Sequence, residues 1–168
     1  LIEEGFVQAS RAISIERRQY IASIVSNGIS DEAILFDESK YLLKILQELN
    51  DSEIIWLRFF LVPTMSGDEE FRAKNKNIIE PIPTYSGVDN ETLGKAAIQN
   101  SYKEHLERLE LITHKIRFNR TSGIPEYDKN SGKPEKSYTY VTTLGRLLLK
   151  QIGLIEKLVL SNNSADLL

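Results

Sequence analysis

Two histidines, His105 and His114, stand nine positions apart with Glu104, Glu107 and Glu110 around them. Imidazole beside carboxylate is the pairing that acid–base chemistry or a metal site would use. The spacing argues against a metal, because the chain has neither an HExxH pattern nor a His-x-His pair to present ligands on one face. His114 also falls on the apolar side of an alternating run, where a histidine reads as a hydrogen-bonded core residue. Ser131-Gly132-Lys133-Pro134 has the lysine of a phosphate loop but lacks the upstream glycine, the strand before it and the helix after it. The chain contains no cysteine, which removes disulfides, thiolate catalysis and Cys-based zinc sites; it fits a reducing compartment, with the cytoplasm expected. No dinucleotide fingerprint or serine-nucleophile elbow occurs. The expectation is a protein that is not an enzyme, with no catalytic residue, metal or cofactor.

The rest of the sequence is that of a folding chain. Hydrophobic residues make up 41% and charged residues 27% of 168, near globular averages. That length fits one domain with a helical extension. The longest apolar run, Ile54 to Val62, holds Arg58 and is too short to span a bilayer. A start at Leu1 rather than methionine, with no leader-like segment, predicts part of a larger protein. Charge is unevenly placed: residues 1–102 carry 10 Lys/Arg against 16 Asp/Glu, whereas residues 103–150 carry 10 against 6. A positive field therefore belongs to the carboxyl half, the side an anion would approach.

Elements follow from periodicity. Phe6, Ile13, Tyr20, Ile21, Ile24 and Val25 predict one helix from Phe6 to Ser26 that Asn27-Gly28 stops. Ser30-Asp31-Glu32 starts a second, about Asp31 to Leu49, with Ile34, Leu35, Tyr41, Leu42, Ile45, Leu46 and Leu49 on its apolar side. Together these form a helical hairpin extension over 1–50. Asn50-Asp51-Ser52-Glu53 stops and restarts the chain, and the run from Ile54 to Leu61 is dense enough to make Trp56 core. Residues 62–90 read as an exposed polar insertion, with Glu69 to Ile79 as one more short helix. Asp89-Asn90-Glu91 caps the next helical stretch, whose apolar phase slips at Asn100-Ser101: one helix turning its face, or two meeting at a short turn. Ile112 to Phe118 alternates as a strand, with Ile112, His114, Ile116 and Phe118 toward the core. A 19-residue polar loop over 119–137 and a strand from Tyr138 to Thr142 complete a hairpin. A helix from Thr142 or Thr143 carries Leu144, Leu147, Leu148, Ile152, Ile155 and Leu158, with Gly153 ending its first part, and 161–168 is a polar tail.

The order of helix, Asn100-Ser101, helix Tyr102 to Leu111, strand, long loop, strand and helix resembles the winged helix-turn-helix family over about residues 51–150. The segments His105-Leu106-Glu107-Arg108-Leu109-Glu110-Leu111-Ile112 and Val141-Thr142-Thr143-Leu144-Gly145-Arg146-Leu147-Leu148 carry the likeness, the latter to the post-wing strand and helix of many bacterial regulators. The fold expected is mainly α (α+β), a helical hairpin followed by a winged-helix-like domain over 51–160 with a two-stranded β-wing. The resemblance implies groove-facing Gln99, Asn100, Lys103 and Arg108, and wing contacts from Arg117, Arg120, Lys129, Lys133 and Lys136. Glu104, Glu107 and Glu110 would meet phosphate with like charge. The sequence therefore predicts first a non-enzymatic interaction or regulatory module, pairing with a protein partner or its own copy through the hairpin, and second a DNA-binding regulator.

Overall fold

The computed structural model describes residues 1–30, 36–62, 68–85, 87–127, 132 and 134–155. Among them are eight helices and one two-stranded antiparallel sheet, so the chain is mainly helical. It divides into two compact units: Leu1–Asp51 with the described part of Thr143–Leu168, and Ser52–Thr142. Among the described residues no helix is long and apolar enough to cross a membrane.

The first unit holds α1 (Ile2–Arg11), α2 (Ile15–Ser30), α3 (Phe36–Glu48) and α8 (Thr143–Gln151). The single helix expected from Phe6 to Ser26 is two. Ala12 is extended, and the Ser14 hydroxyl accepts from Arg17 N at 3.1 Å, so Ser14 caps a new helix. The break destroys the expected face: Phe6 is 73% and Ile13 99% exposed, while Ile21 and Ile24 are buried. Asn27-Gly28 does not stop α2, which continues to Ser30. Asn27 instead donates its amide to Gln151 Oε1 at 2.8 Å. Gly28 is there for approach, since a Cβ on it would lie 2.5 Å from Ser39 Oγ. The start expected for the second helix, with Ile34 and Leu35, lies outside the described residues; Leu42, Ile45, Leu46 and Leu49 are buried as expected, but Tyr41 is exposed. Arg17 donates to the carbonyls of Leu46 and Leu49, tying α2 to the carboxyl end of α3.

The second unit holds α4 (Asp51–Phe59), α5 (Glu69–Lys74), α6 (Lys76–Ile79), α7 (Asn90–Arg108), β1 (Ile112–Ile116) and β2 (Lys136–Val141). Ile54, Trp56, Leu57 and Phe60 are buried, and Trp56 meets Phe59 edge-on at 5.3 Å. The insertion forms two short helices broken at Asn75. It is tied down: Arg58 pairs with Asp68 at 2.7 Å, and Gln99 donates to the carbonyls of Ile78 and Glu80 at 3.0 and 2.9 Å.

α7 runs unbroken through Asn100-Ser101, so no turn separates two helices there. The phase slip has a simple cause: the inward line is Ala96, Gln99, Lys103 and Leu106, three or four apart, and its two polar members hide it from a hydrophobicity pattern. Ile98, off that line, is 54% exposed. The helix closes with Leu111 N donating to Leu106 O at 3.0 Å and Glu110 N to Glu107 O at 2.9 Å, with Glu110 left-handed at φ 58°.

β1 and β2 pair in the register Ile112↔Val141, Thr113↔Tyr140, His114↔Thr139 and Lys115↔Tyr138, with a bulge between Lys115 and Ile116. Only the first half of the expected core face is covered: Ile112 is buried, whereas Ile116 and Phe118 are exposed. Past the sheet the polar loop pairs again. Arg117 N donates to Glu135 O, Glu126 N to Arg117 O and Glu135 N to Glu126 O, and Phe118 bridges Pro125.

Candidate functional site

Among the described residues, those implied by the winged-helix resemblance differ in exposure and in partners. Gln99 is buried and turned toward the insertion, and Lys103 is half-buried with its Nζ 4.2 Å from the Trp56 ring centre. Asn100, Arg108 and Arg120 are exposed. Arg117 pairs with Glu126 at 3.0 Å and Glu135 at 3.4 Å, and Lys136 pairs with Glu107 at 2.7 Å. Lys129 and Lys133 lie outside the described residues.

Each histidine takes a carboxylate. His105 Nδ1 is 2.7 Å from Glu53 Oε1, and Glu53 is buried. His114 Nε2 is 3.2 Å from Glu107 Oε2, and its Nδ1 is 2.7 Å from Thr139 Oγ1 across the strands. Burial, and then the Lys136 charge, push the His114 pKa down against the pull of Glu107. Burial works against the Glu107 charge too, but hydrogen bonds from Lys136 and His114 and their charges outweigh it and hold its pKa below the usual range. A neutral ring has one donor and one acceptor, and a carboxylate only accepts, so Nε2–H faces Glu107 and Thr139 donates to Nδ1. Both ring nitrogens are thereby engaged, and the cluster joins α7 to both strands. Among the described residues no three His, Asp or Glu side chains come together as a metal would need.

On the opposite sheet face Tyr138 and Tyr140 are exposed with ring centres 5.8 Å apart, and Lys115 Nζ lies 5.6 Å from the Tyr138 ring.

The least expected feature is on the first unit. α1 lies close on α2, where a Cβ on Gly5 would meet Val25 Cγ2 at 2.5 Å. Beside that contact the two helices leave a groove of about 390 Å³ walled by Ile2, Phe6, Ala9, Val25 and Ile29, with Arg18 at its rim. Phe6 is 73%, Ile29 62% and Ile2 51% exposed. The other side of α1 borders a larger, polar cavity of about 610 Å³ with Glu3, Glu4, Arg11, Arg17 and Lys40 in its walls. Periodicity marks Phe6 as apolar-faced but cannot say whether the partner of that face lies within the chain, so the groove was not legible in the sequence.

No protein-family model, curated protein or solved structure matches the chain.

Proposed function

We propose that the chain is a non-enzymatic interaction or regulatory module that docks a protein partner or its own copy through the α1–α2 face. The observation that carries this is the apolar groove flanked by exposed Ile2, Phe6 and Ile29. A contiguous apolar patch rimmed by polar groups is costly to leave in water and marks interaction surfaces. The β1–β2 hairpin after α7, followed by α8, keeps the strand, loop, strand and helix order of a winged half and supports that finer description of the carboxyl part. Light scattering of the chain, alone and with proteins retained on it, tests the proposal when repeated with Phe6→Glu. Association that Phe6→Glu abolishes supports it. A strict monomer that retains nothing sensitive to Phe6 ends it.

A nucleic-acid partner is the second reading, favoured by the exposed Lys115, Tyr138 and Tyr140 face and by Arg108 and Arg120, which lie in the net-positive segment. Pairing of Arg117 and Lys136 with carboxylates weakens it. Gel shift with random duplex at low salt tests it, and absence of retardation at micromolar protein removes it.

A further inference from the structure

We propose that Thr139 is an activated hydroxyl that accepts an acyl group, with His114 as its base and Glu107 as the group that orients the imidazole. The proposal goes beyond the docking reading and concerns a single covalent transfer, so it stands or falls apart from the α1–α2 face.

Three observations carry it. First, the three side chains form one chain of contacts. Thr139 Oγ1 lies 2.7 Å from His114 Nδ1, and His114 Nε2 lies 3.2 Å from Glu107 Oε2. Hydroxyl, imidazole and carboxylate within hydrogen-bond reach of one another is the arrangement that makes a hydroxyl a nucleophile. Second, the protonation states suit these roles. Burial and the Lys136 charge favour the neutral ring, whose Nδ1 then has a lone pair for the hydroxyl proton. Glu107 is held ionised and can balance the imidazolium that follows. Third, the cluster lies at the border of the covered half of the sheet face. Thr139 is half-buried, the Glu107 side chain is 40% exposed, and Ile116, two residues on from His114 in β1, is 42% exposed. A small reagent can reach the hydroxyl there, and Ile116 offers an apolar neighbour to an acyl chain.

The donor is an activated acyl ester such as a thioester. Thr139 Oγ1 attacks the carbonyl carbon while His114 Nδ1 takes the hydroxyl proton. A C–O bond forms, the C–S bond breaks, and the leaving thiolate takes the proton from the imidazolium. Thr139 ends as an ester and His114 as it began. Lys136 draws on the same Glu107 oxygen as the ring, at 2.7 Å, which weakens the base and favours one slow transfer over turnover.

The probe is p-nitrophenyl butyrate at neutral pH, with the adduct located by peptide mass mapping. The unmodified chain should carry butyrate on Thr139 ahead of the exposed Thr121 and Thr143, and hydroxylamine should remove it, as it removes an ester but not a lysine amide. His114→Gln should slow labelling about a hundredfold or more, the share of a general base. Thr139→Val should abolish it at that position, and Thr139→Ser should keep it. Glu107→Gln should slow labelling and move its rise with pH to lower pH, because the ring loses the charge that favours its protonated form while Lys136 still opposes it. Labelling of Thr139 no faster than that of Thr121 in the unmodified chain overturns the proposal, whatever the variants do. An undiminished rate in a folded His114→Gln overturns it too.

Discussion

Lys103 carries its ammonium 4.2 Å from the ring centre of Trp56, on the inward line of α7. Burial lowers the lysine's pKa, and the ring face supplies attraction that water would otherwise give. Trp56 is 3% exposed and packs on Phe59 and Phe60. Its buried Nε1 has no hydrogen-bond partner among the described residues. The ring therefore contributes by volume and contact rather than by its N–H group. Trp56→Ala should cost about 3–5 kcal/mol, a large share of the total stability of a domain. Trp56→Phe should cost only a fraction of that, since it deletes no hydrogen bond. Urea melts of the two variants check this; equal losses would mean the indole N–H matters after all.

Glu110 closes α7 at φ 58°, a conformation that costs a side-chain-bearing residue about 1–2 kcal/mol. Glu110→Gly removes that strain, and the greater freedom of glycine in the unfolded chain takes back about 0.5–1 kcal/mol. The net expectation is a gain of about 0.5–1 kcal/mol. The Glu110 carbonyl still accepts from Thr142 Oγ1, at 2.6 Å, in the variant. A lowered melting temperature would show that the carboxylate itself is needed.

How far the sequence spoke for the structure varies by element. Asp89 was legible as a cap and accepts from Thr92 N at 2.9 Å, because capping is a local hydrogen bond written in adjacent residues. Ser14 carries the same signal, yet the apolar repeat across it suggested a continuous helix. Gln99 was misplaced because an amide can satisfy two carbonyls from inside a fold as readily as it can read a base edge. The groove beside Phe6 depends on which faces the fold leaves uncovered, which no single stretch of sequence encodes.

Gly28 and Gly94 make a controlled pair. Both are helical, and a helix-interior Gly→Ala change ordinarily gains about 1 kcal/mol. Gly94 has open space within 4 Å, so Gly94→Ala should gain up to that amount. A Cβ on Gly28 would meet Ser39 Oγ at 2.5 Å, Ser39 Cβ at 2.7 Å and Leu1 Cδ2 at 2.8 Å. Gly28→Ala should therefore lose about 1–3 kcal/mol through overpacking. Thermal melts with opposite signs support the close α2–α3 approach, and a stabilising Gly28→Ala would refute it.

The His114 cluster should give the fold a pH response with a definite sign. The folded-state pKa of His114 lies below its ordinary value, so between the two values the unfolded chain binds more protons than the folded one. Stability then rises with pH through that window and is lost as pH falls below about 6.5. The lowered Glu107 pKa acts in the same direction at more acid pH, below the range in which the histidine titrates. Urea midpoints of the unmodified chain should fall between about pH 7.5 and 5.5, and His114→Gln, which cannot titrate, should fall less over the same interval. Comparison at pH 7.5 separates any packing loss from the titration, because the loss shifts both ends equally. An undiminished pH dependence in His114→Gln would place the response elsewhere and leave the cluster a purely structural link between α7 and the sheet.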